Sequence, residues 1–332
     1  MSVHPDEPDF PRARTDVPVG AVPSAPPVSA PARPAPGGPY PAGSGHEVRP
    51  VVLDAHGIPL SGLLAQPAQG SPRAVVVALH GAGMRAGYFD NRARPGLSLL
   101  ALGAELGCTV LALDRPGYGA SARVLPRGQS LAGQTAALYA ALSAFARDHD
   151  TGAGCFLLAH SSGGRLALSA AAAPHPAVRL LGLDVSGLGS AFAAVPDDLP
   201  GPGRAGAWRR HWGALRLYPP DAFRLGQRLV TPVPTLEARE TALWPGVYAD
   251  LAGRVRVPVR FTFAEQEQWW RCDGEAVRTL IAPLAAPRVV VDRLPDAGHN
   301  ISLGWAARTY HLRALAFLEE CLLARDAAPA VR

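Results

Sequence analysis

Residues 155–173, CFLLAHSSGGRLALSAAAA, run from an unbroken apolar stretch through two serines and two glycines into an alanine- and leucine-rich helical pattern. An apolar run with no polar alternation reads as a strand buried on both faces, as in a parallel sheet covered by helices. A strand turning this tightly into a helix also puts the turn at the sheet's C-terminal edge, where open α/β sheets bind ligands. The same grammar recurs along the chain. RAVVVALHG (73–81), CTVLALDRPGYG (108–119), VRLLGLDVSG (178–187), VPVRFTF (257–263) and RVVVDRL (288–294) are further buried strands. Helical spacing fills 97–106, 130–148, the region near 275–285 and a final stretch from about 302 to 325. The segment VVLDAHGIPLSGLLAQP (51–67) reads as a hairpin turning at His56-Gly57. The expected class is α/β, a mostly parallel β-sheet flanked by helices.

Two regions depart from this rhythm. Residues 1–45 are rich in proline, glycine, alanine and serine and are expected to be a disordered leader, since they hold too little apolar surface to offset ordering. Residues 187–254 carry prolines, three of the six tryptophans and, before Arg254, seven arginines. They are expected to be an inserted, helical lid, which leaves 46–186 and 255–328 as the core.

Composition excludes several classes of function. The net charge is +5, yet there is no lysine and all 32 basic residues are arginines, scattered without a run that could track a nucleic-acid backbone. No nucleic-acid partner is therefore expected. The four cysteines, Cys108, Cys155, Cys272 and Cys321, have neither metal spacing nor a disulfide pattern. No run of about 18 apolar residues suggests a membrane span, and no charged-then-apolar opening suggests secretion, so the cytoplasm is the expected address. HGAGMRAG has the wrong spacing for a dinucleotide loop, and no HExxH or His/Cys ligand set occurs. Neither cofactor nor metal is expected.

The two serines are not equivalent. In a tight strand-to-helix elbow the residues two before and two after the apex crowd each other, so both must be small. With Ser161 at the apex these are Ala159 and Gly163; with Ser162 they would be His160 and Gly164, leaving the imidazole no room. Ser161 is the candidate nucleophile, and Ser162 would lend its backbone N–H to an oxyanion hole at the helix N-terminus. LHGAG after an earlier strand offers a second backbone donor at Ala82. Among ten histidines, His299 in LPDAGHN follows the last strand, at the same sheet edge, and is the candidate general base. His160 adjoins the nucleophile but is read as projecting from the other side of the turn.

These four stretches, LHGAG, DRPGYGAS, AHSSGG and LPDAGHN, stand in the order found in the α/β-hydrolase superfamily, which the chain resembles from about Val51 to Arg325. It departs from the common pattern in having Ala159 where glycine is usual. The resemblance implies a Ser-His-acid triad whose acid follows the strand after the lid, in a small-residue-x-x-acid turn. AEQE (264–267) lies there, with Ala264 again replacing glycine and Glu267 at the acid position; Glu265 and Asp184 remain alternatives. Serine at the elbow is unlike the aspartate of dehalogenases and epoxide hydrolases of this fold. The implied activity is a serine hydrolase cleaving a small or medium ester or thioester, free or carrier-bound, through an acyl-enzyme. The alternatives are the same scaffold used for acyl transfer, cyclisation or a lyase step, and a catalytically silent binding protein. Arg209, Arg210 and Arg216 in WRRHWGALR could grip an anionic group, and Trp269-Trp270 could pack beneath the lid.

Overall fold

The computed structural model describes residues 46–193 and 208–326. The expected leader, 1–45, lies outside the described residues, as do 194–207 of the expected lid and 327–328 of the expected core.

The chain opens with a hairpin of β1 (Arg49–Ala55) and β2 (Ile58–Ala65). Its two-residue turn holds His56 and Gly57 at φ +54° and +84°, the left-handed pair that suits the twist of a hairpin. The elements β3 (Val75–Leu79), α1 (Leu99–Glu105), β4 (Thr109–Leu113), α2 (Leu131–Asp148), β5 (Cys155–His160), α3 (Ser162–Ala172) and β6 (Leu180–Ser186) follow. Among the described residues, four α-helices precede the next strand: α4 (Trp208–Trp212), α5 (Pro220–Gln227), α6 (Thr235–Thr241) and α7 (Trp244–Ala252). The chain closes with β7 (Val259–Gln266), α8 (Gly274–Ile281), β8 (Val289–Gly298) and α9 (Ala307–Asp326).

The eight strands form one sheet in the order β1-β2-β4-β3-β5-β6-β7-β8. Pairing is antiparallel at β1–β2 and β2–β4 and parallel everywhere else. Successive strand residues point to opposite faces, and both faces are apolar here. Val75, Val77 and Leu79 join the core beneath α2, α3 and α7, whereas Val76 and Ala78 join the core beneath α1 and α9. That double burial is why β3, β4 and β5 are apolar throughout.

The winding reverses at β3. From β3 the chain passes to β4 on one side, and from β4 it crosses back to β5 on the other. The loops after β3 and β5 therefore diverge above a crevice at the sheet's C-terminal edge. The last helix begins at Ala307 rather than near Ser302. Before it can start, the chain is strapped to the segment ahead of α5, with Trp305 N–H donating to the Leu217 carbonyl at 2.9 Å.

Candidate active site

Ser161 sits between β5 and α3 at φ +52°, ψ −118°, a conformation that costs about 1–3 kcal/mol for a residue with a Cβ. Its N–H donates to the Ser186 carbonyl of β6 at 2.8 Å, and its carbonyl accepts from Gly164 N–H at 2.8 Å. Ser161 itself is half-buried, whereas Ser162 is buried and begins the helix. The crowding that demands glycine at 163 comes from a different neighbour than expected. A Cβ there would meet the carbonyl oxygens of Leu79, at the end of β3, and of His80 just after it, at 2.1 and 2.7 Å, so the elbow is pressed against the end of β3.

His299 follows β8, and its Nδ1–H donates to the Glu267 carboxylate, 2.9 and 3.1 Å from its two oxygens. Glu267 reaches this point because β7 ends in a bend closed by Glu267 N–H to the Ala264 carbonyl (3.2 Å), and Trp269 N–H holds the carboxylate at 2.9 Å. The alternative carboxylates are engaged elsewhere. Glu265 accepts from Asp296 N–H at 2.7 Å. Asp184 faces α9, bonded to Arg260 and to the Tyr310 hydroxyl.

His160 does not project away from His299. It lies beneath it, with ring centroids 4.7 Å apart, stacked on Tyr88 and bonded to the Ser186 hydroxyl. Burial, and then the His299, His211 and His80 rings, hold His160 well below its ordinary pKa. Gly187, at φ +60°, leaves space for both rings; a Cβ would come within 2.9 Å of each.

The loop after β3 is fixed by a buried ionic cluster that local sequence did not reveal. Arg115, after β4, donates through Nε to the His80 carbonyl (2.8 Å) and through Nη2 to the Gly81 carbonyl (3.2 Å). The same guanidinium makes a bidentate pair with Glu237 of α6, at 2.8 and 3.0 Å. The Tyr118 hydroxyl donates to Glu237 at 3.0 Å and accepts from Gly83 N–H at 3.2 Å. Burial pushes Glu237 up, but Arg115 overrides it and holds the carboxyl at about 2. His80 is a fixed neutral tautomer, because its Nε2 accepts from Arg115 N–H and Nδ1–H donates to Gly81. Burial and Arg115 lower its pKa to about 4. Ala82 thus lies in a loop held on both sides. On α3, Arg165 Nη2 donates to Ser162 Oγ at 2.7 Å, turning that hydroxyl toward the helix.

Ala82, Ser161, Ser162, Arg165, His211 and His299 border one small cavity of about 20 Å³, walled by Phe192, Trp269 and Trp270. The tryptophan pair is therefore buried and forms a wall of the site. Among the described residues, no three His, Cys, Asp or Glu side chains gather in a way that could hold a metal ion. The expected arginine grip takes a different shape. Arg210 lies over the Trp269 ring at 5.9 Å, Arg216 is exposed, and neither borders this cavity; the side chain of Arg209 lies outside the described residues. Arg115, Arg165 and Glu237 were missed. The available signal was a charged residue inside the otherwise apolar helix GRLALSAAAA.

Residues 76–309 match the family described as the alpha/beta hydrolase family. The chain belongs to that family. No curated protein matches it by sequence. Among solved structures, this alpha/beta hydrolase is similar to a highly thermostable carboxyl esterase from Bacillus coagulans, with a TM-score of 0.61 at 15% identity over 83% of this chain and 99% of that one. MenH from S. aureus aligns with a TM-score of 0.56 at 17% identity, covering 78% and 97%. Proline iminopeptidase from Mycobacterium smegmatis aligns with a TM-score of 0.54 at 18% identity, covering 84% and 100%. At these identities the likeness is one of fold.

Proposed function

We propose that this alpha/beta hydrolase is a serine hydrolase that cleaves a small or medium ester or thioester through an acyl-enzyme. The observation that carries the reading is the bond from His299 Nδ1–H to Glu267, formed beside a cavity that Ser161 also borders. That bond leaves Nε2 unprotonated and available as a base. Ser161 Oγ attacks the acyl carbon as its proton passes to Nε2. The Ala82 and Ser162 N–H groups hold the oxyanion. His299 then returns the proton to the departing alcohol or thiol. Water attacks the acyl carbon with His299 as base, and the acid leaves as Ser161 regains its proton. Glu267 keeps the imidazole in the required tautomer and stabilises the imidazolium. The helices α4–α7 act as the lid, contributing His211 and Thr241 to the cavity wall.

The test is labelling of the intact protein with a fluorophosphonate, followed by peptide mapping and ester hydrolysis assays. Labelling is expected at Ser161 and is expected to be suppressed in His299→Ala. Ser161→Ala should lower kcat by about a millionfold and Glu267→Gln by about ten-thousandfold. A Glu265→Gln loss larger than that of Glu267→Gln would move the acid role. Folded protein that takes up no label would overturn the reading.

A further inference from the structure

The chemistry above uses Ser162 through its backbone and leaves its neighbour Arg165 without a task. Helical side chains lean toward the N-terminus, so the Arg165 guanidinium returns to the first turn of α3, next to the expected oxyanion donor. It is 5% exposed. A guanidinium carries five N–H donors. Among the described residues, Ser162 Oγ is the one acceptor within hydrogen-bond distance. Glu237 Oε1 lies 3.7 Å away, and both Glu237 oxygens are already taken by Arg115 and Tyr118. Arg115, Arg165 and Glu237 therefore sum to one uncompensated positive charge in the interior. An isolated buried charge is costly unless something pairs with it.

Arg165 also stands where two cavities meet. Besides the small cavity at Ser161, a second of about 500 Å³ opens between α2, α3, α6 and α7, and Ser162 and Arg165 border both. That volume is typical of a site for a small organic molecule. Leu131, Leu243, Trp244 and Val247 give it apolar walls. Half-buried Glu240 attracts Arg165 at longer range, but among the described residues Glu237 alone lies within ion-pair distance of it. Glu240 accepts from Leu131 N–H at 2.8 Å, and Asp250 and Arg254 are exposed at the rim with opposite signs.

Resting on the serine-hydrolase reading, we infer that Arg165 docks a carboxylate carried by the substrate. The substrate is then an acyl ester or thioester with a carboxylate close to its reacting carbonyl and hydrocarbon lying in the larger cavity. One excess charge matches a monoanion rather than a phosphate dianion, and the planar guanidinium fork fits a carboxylate.

The test compares matched ester pairs that differ in charge. On the acyl side these are mono(4-nitrophenyl) adipate and 4-nitrophenyl heptanoate; on the leaving-group side, 3-carboxyphenyl hexanoate and phenyl hexanoate. In one pair the charged ester should be preferred, and Arg165→Met should cut that preference by about ten- to a hundredfold, mainly through KM. Arg165→Lys should restore part of it. Thermal melts of Arg165→Met, Arg165→Gln and Arg165→Lys identify which variants are folded and usable. No preference in either pair, or a preference untouched by the substitutions, would overturn the inference. So would an equal fall in kcat on charged and neutral esters, which would make Arg165 a support of the oxyanion. If no ester is turned over, the serine-hydrolase reading fails separately, and calorimetry of sodium adipate with Ser161→Ala protein still reads the subsite. Binding that disappears in Ser161→Ala/Arg165→Met supports it. Absence of binding, or stronger binding of inorganic phosphate than of adipate, overturns it.

Discussion

Beneath α9, Asp184 is bonded to Arg260 and to the Tyr310 hydroxyl; Arg260 also reaches Asp292 at 2.6 Å, and Arg313 closes on Asp292 at 2.9 Å. Two carboxylates meet two guanidiniums. Beside the candidate active site, Glu237 stands between Arg115 and Arg165, one carboxylate against two guanidiniums. The second cluster is wholly buried, whereas in the first Asp184 and Arg260 are buried, Asp292 is half-buried and Arg313 is exposed. The second carries one more guanidinium than carboxylate, and it borders the two cavities described above. A balanced cluster holds elements of the fold together, as α9 is held to β6 and β8. An unbalanced one stores an attraction for something the chain itself does not supply.

The largest expected effect comes from Glu237→Gln, which leaves two guanidiniums facing each other without a carboxylate. Urea denaturation should show a loss of about 3–5 kcal/mol. The residual folded protein should also lose kcat/KM, because the loop carrying Ala82 is tied to α6 through Arg115. Unchanged kcat/KM in folded Glu237→Gln would erase the distinction between the clusters. Asp184→Asn should cost less, about 2 kcal/mol, since Arg260 keeps Asp292. It should leave kcat/KM within about threefold, measured on the same ester.

Acid sensitivity separates the regions by pH. Burial, then Arg308, lowers His311 on α9 to about 3; burial, then His299, does the same to His211 by the candidate active site. Both stay neutral when folded, while the unfolded chain takes up protons near pH 6.5. Below that pH the unfolded state binds more protons, so stability falls as pH falls, by about 1.4 kcal/mol per unit for His311. Glu237 acts in a lower window: its carboxylate is held at about 2, so its contribution is present above about 4.5 and is lost as pH drops toward 2. Melting curves between pH 7 and 5 should therefore flatten in His311→Gln, and Glu237→Gln should leave that slope unchanged. The smallest effect is expected from Ser162→Ala, about 1 kcal/mol of stability and less than tenfold in rate, since only the hydroxyl bonded to Arg165 is removed.

The elbow, the loop after β3 and the turn holding His299 were legible because each is a short contiguous stretch at the end of a buried strand. Periodicity locates the strand, and the turn residues then follow. Glu267 needed the family resemblance as well, since AEQEQ offers two glutamates and only the register of β7 against β8 separates them: Glu265 caps Asp296 while Glu267 turns to His299. Glu237 was not legible. TLEARET reads as an exposed polar helix, and what buries its glutamate is Arg115, 122 residues earlier. Arg165 and Asp184 were half-legible, as charges in apolar runs, but their partners lie on other elements. The start of α9 was misplaced because the strap from Trp305 to Leu217 is a long-range bond without a local signature.

The distance along the chain between Arg115, Arg165 and Glu237 has a consequence for biosynthesis. A nascent chain that has emerged only as far as β6 can pair β3, β4, β5 and β6 with one another, although β6 still lacks its second neighbour, β7. It also holds two arginines destined for burial with no carboxylate to separate them. The carboxylate that ties Arg115 and the loop after β3 to α6 is supplied only when α6 leaves the ribosome and brings Glu237 into place. A chain cut short before α6 thus holds six of the eight strands but lacks β7, β8, Glu237, Glu267 and His299, so the edge that carries the candidate site stays unset.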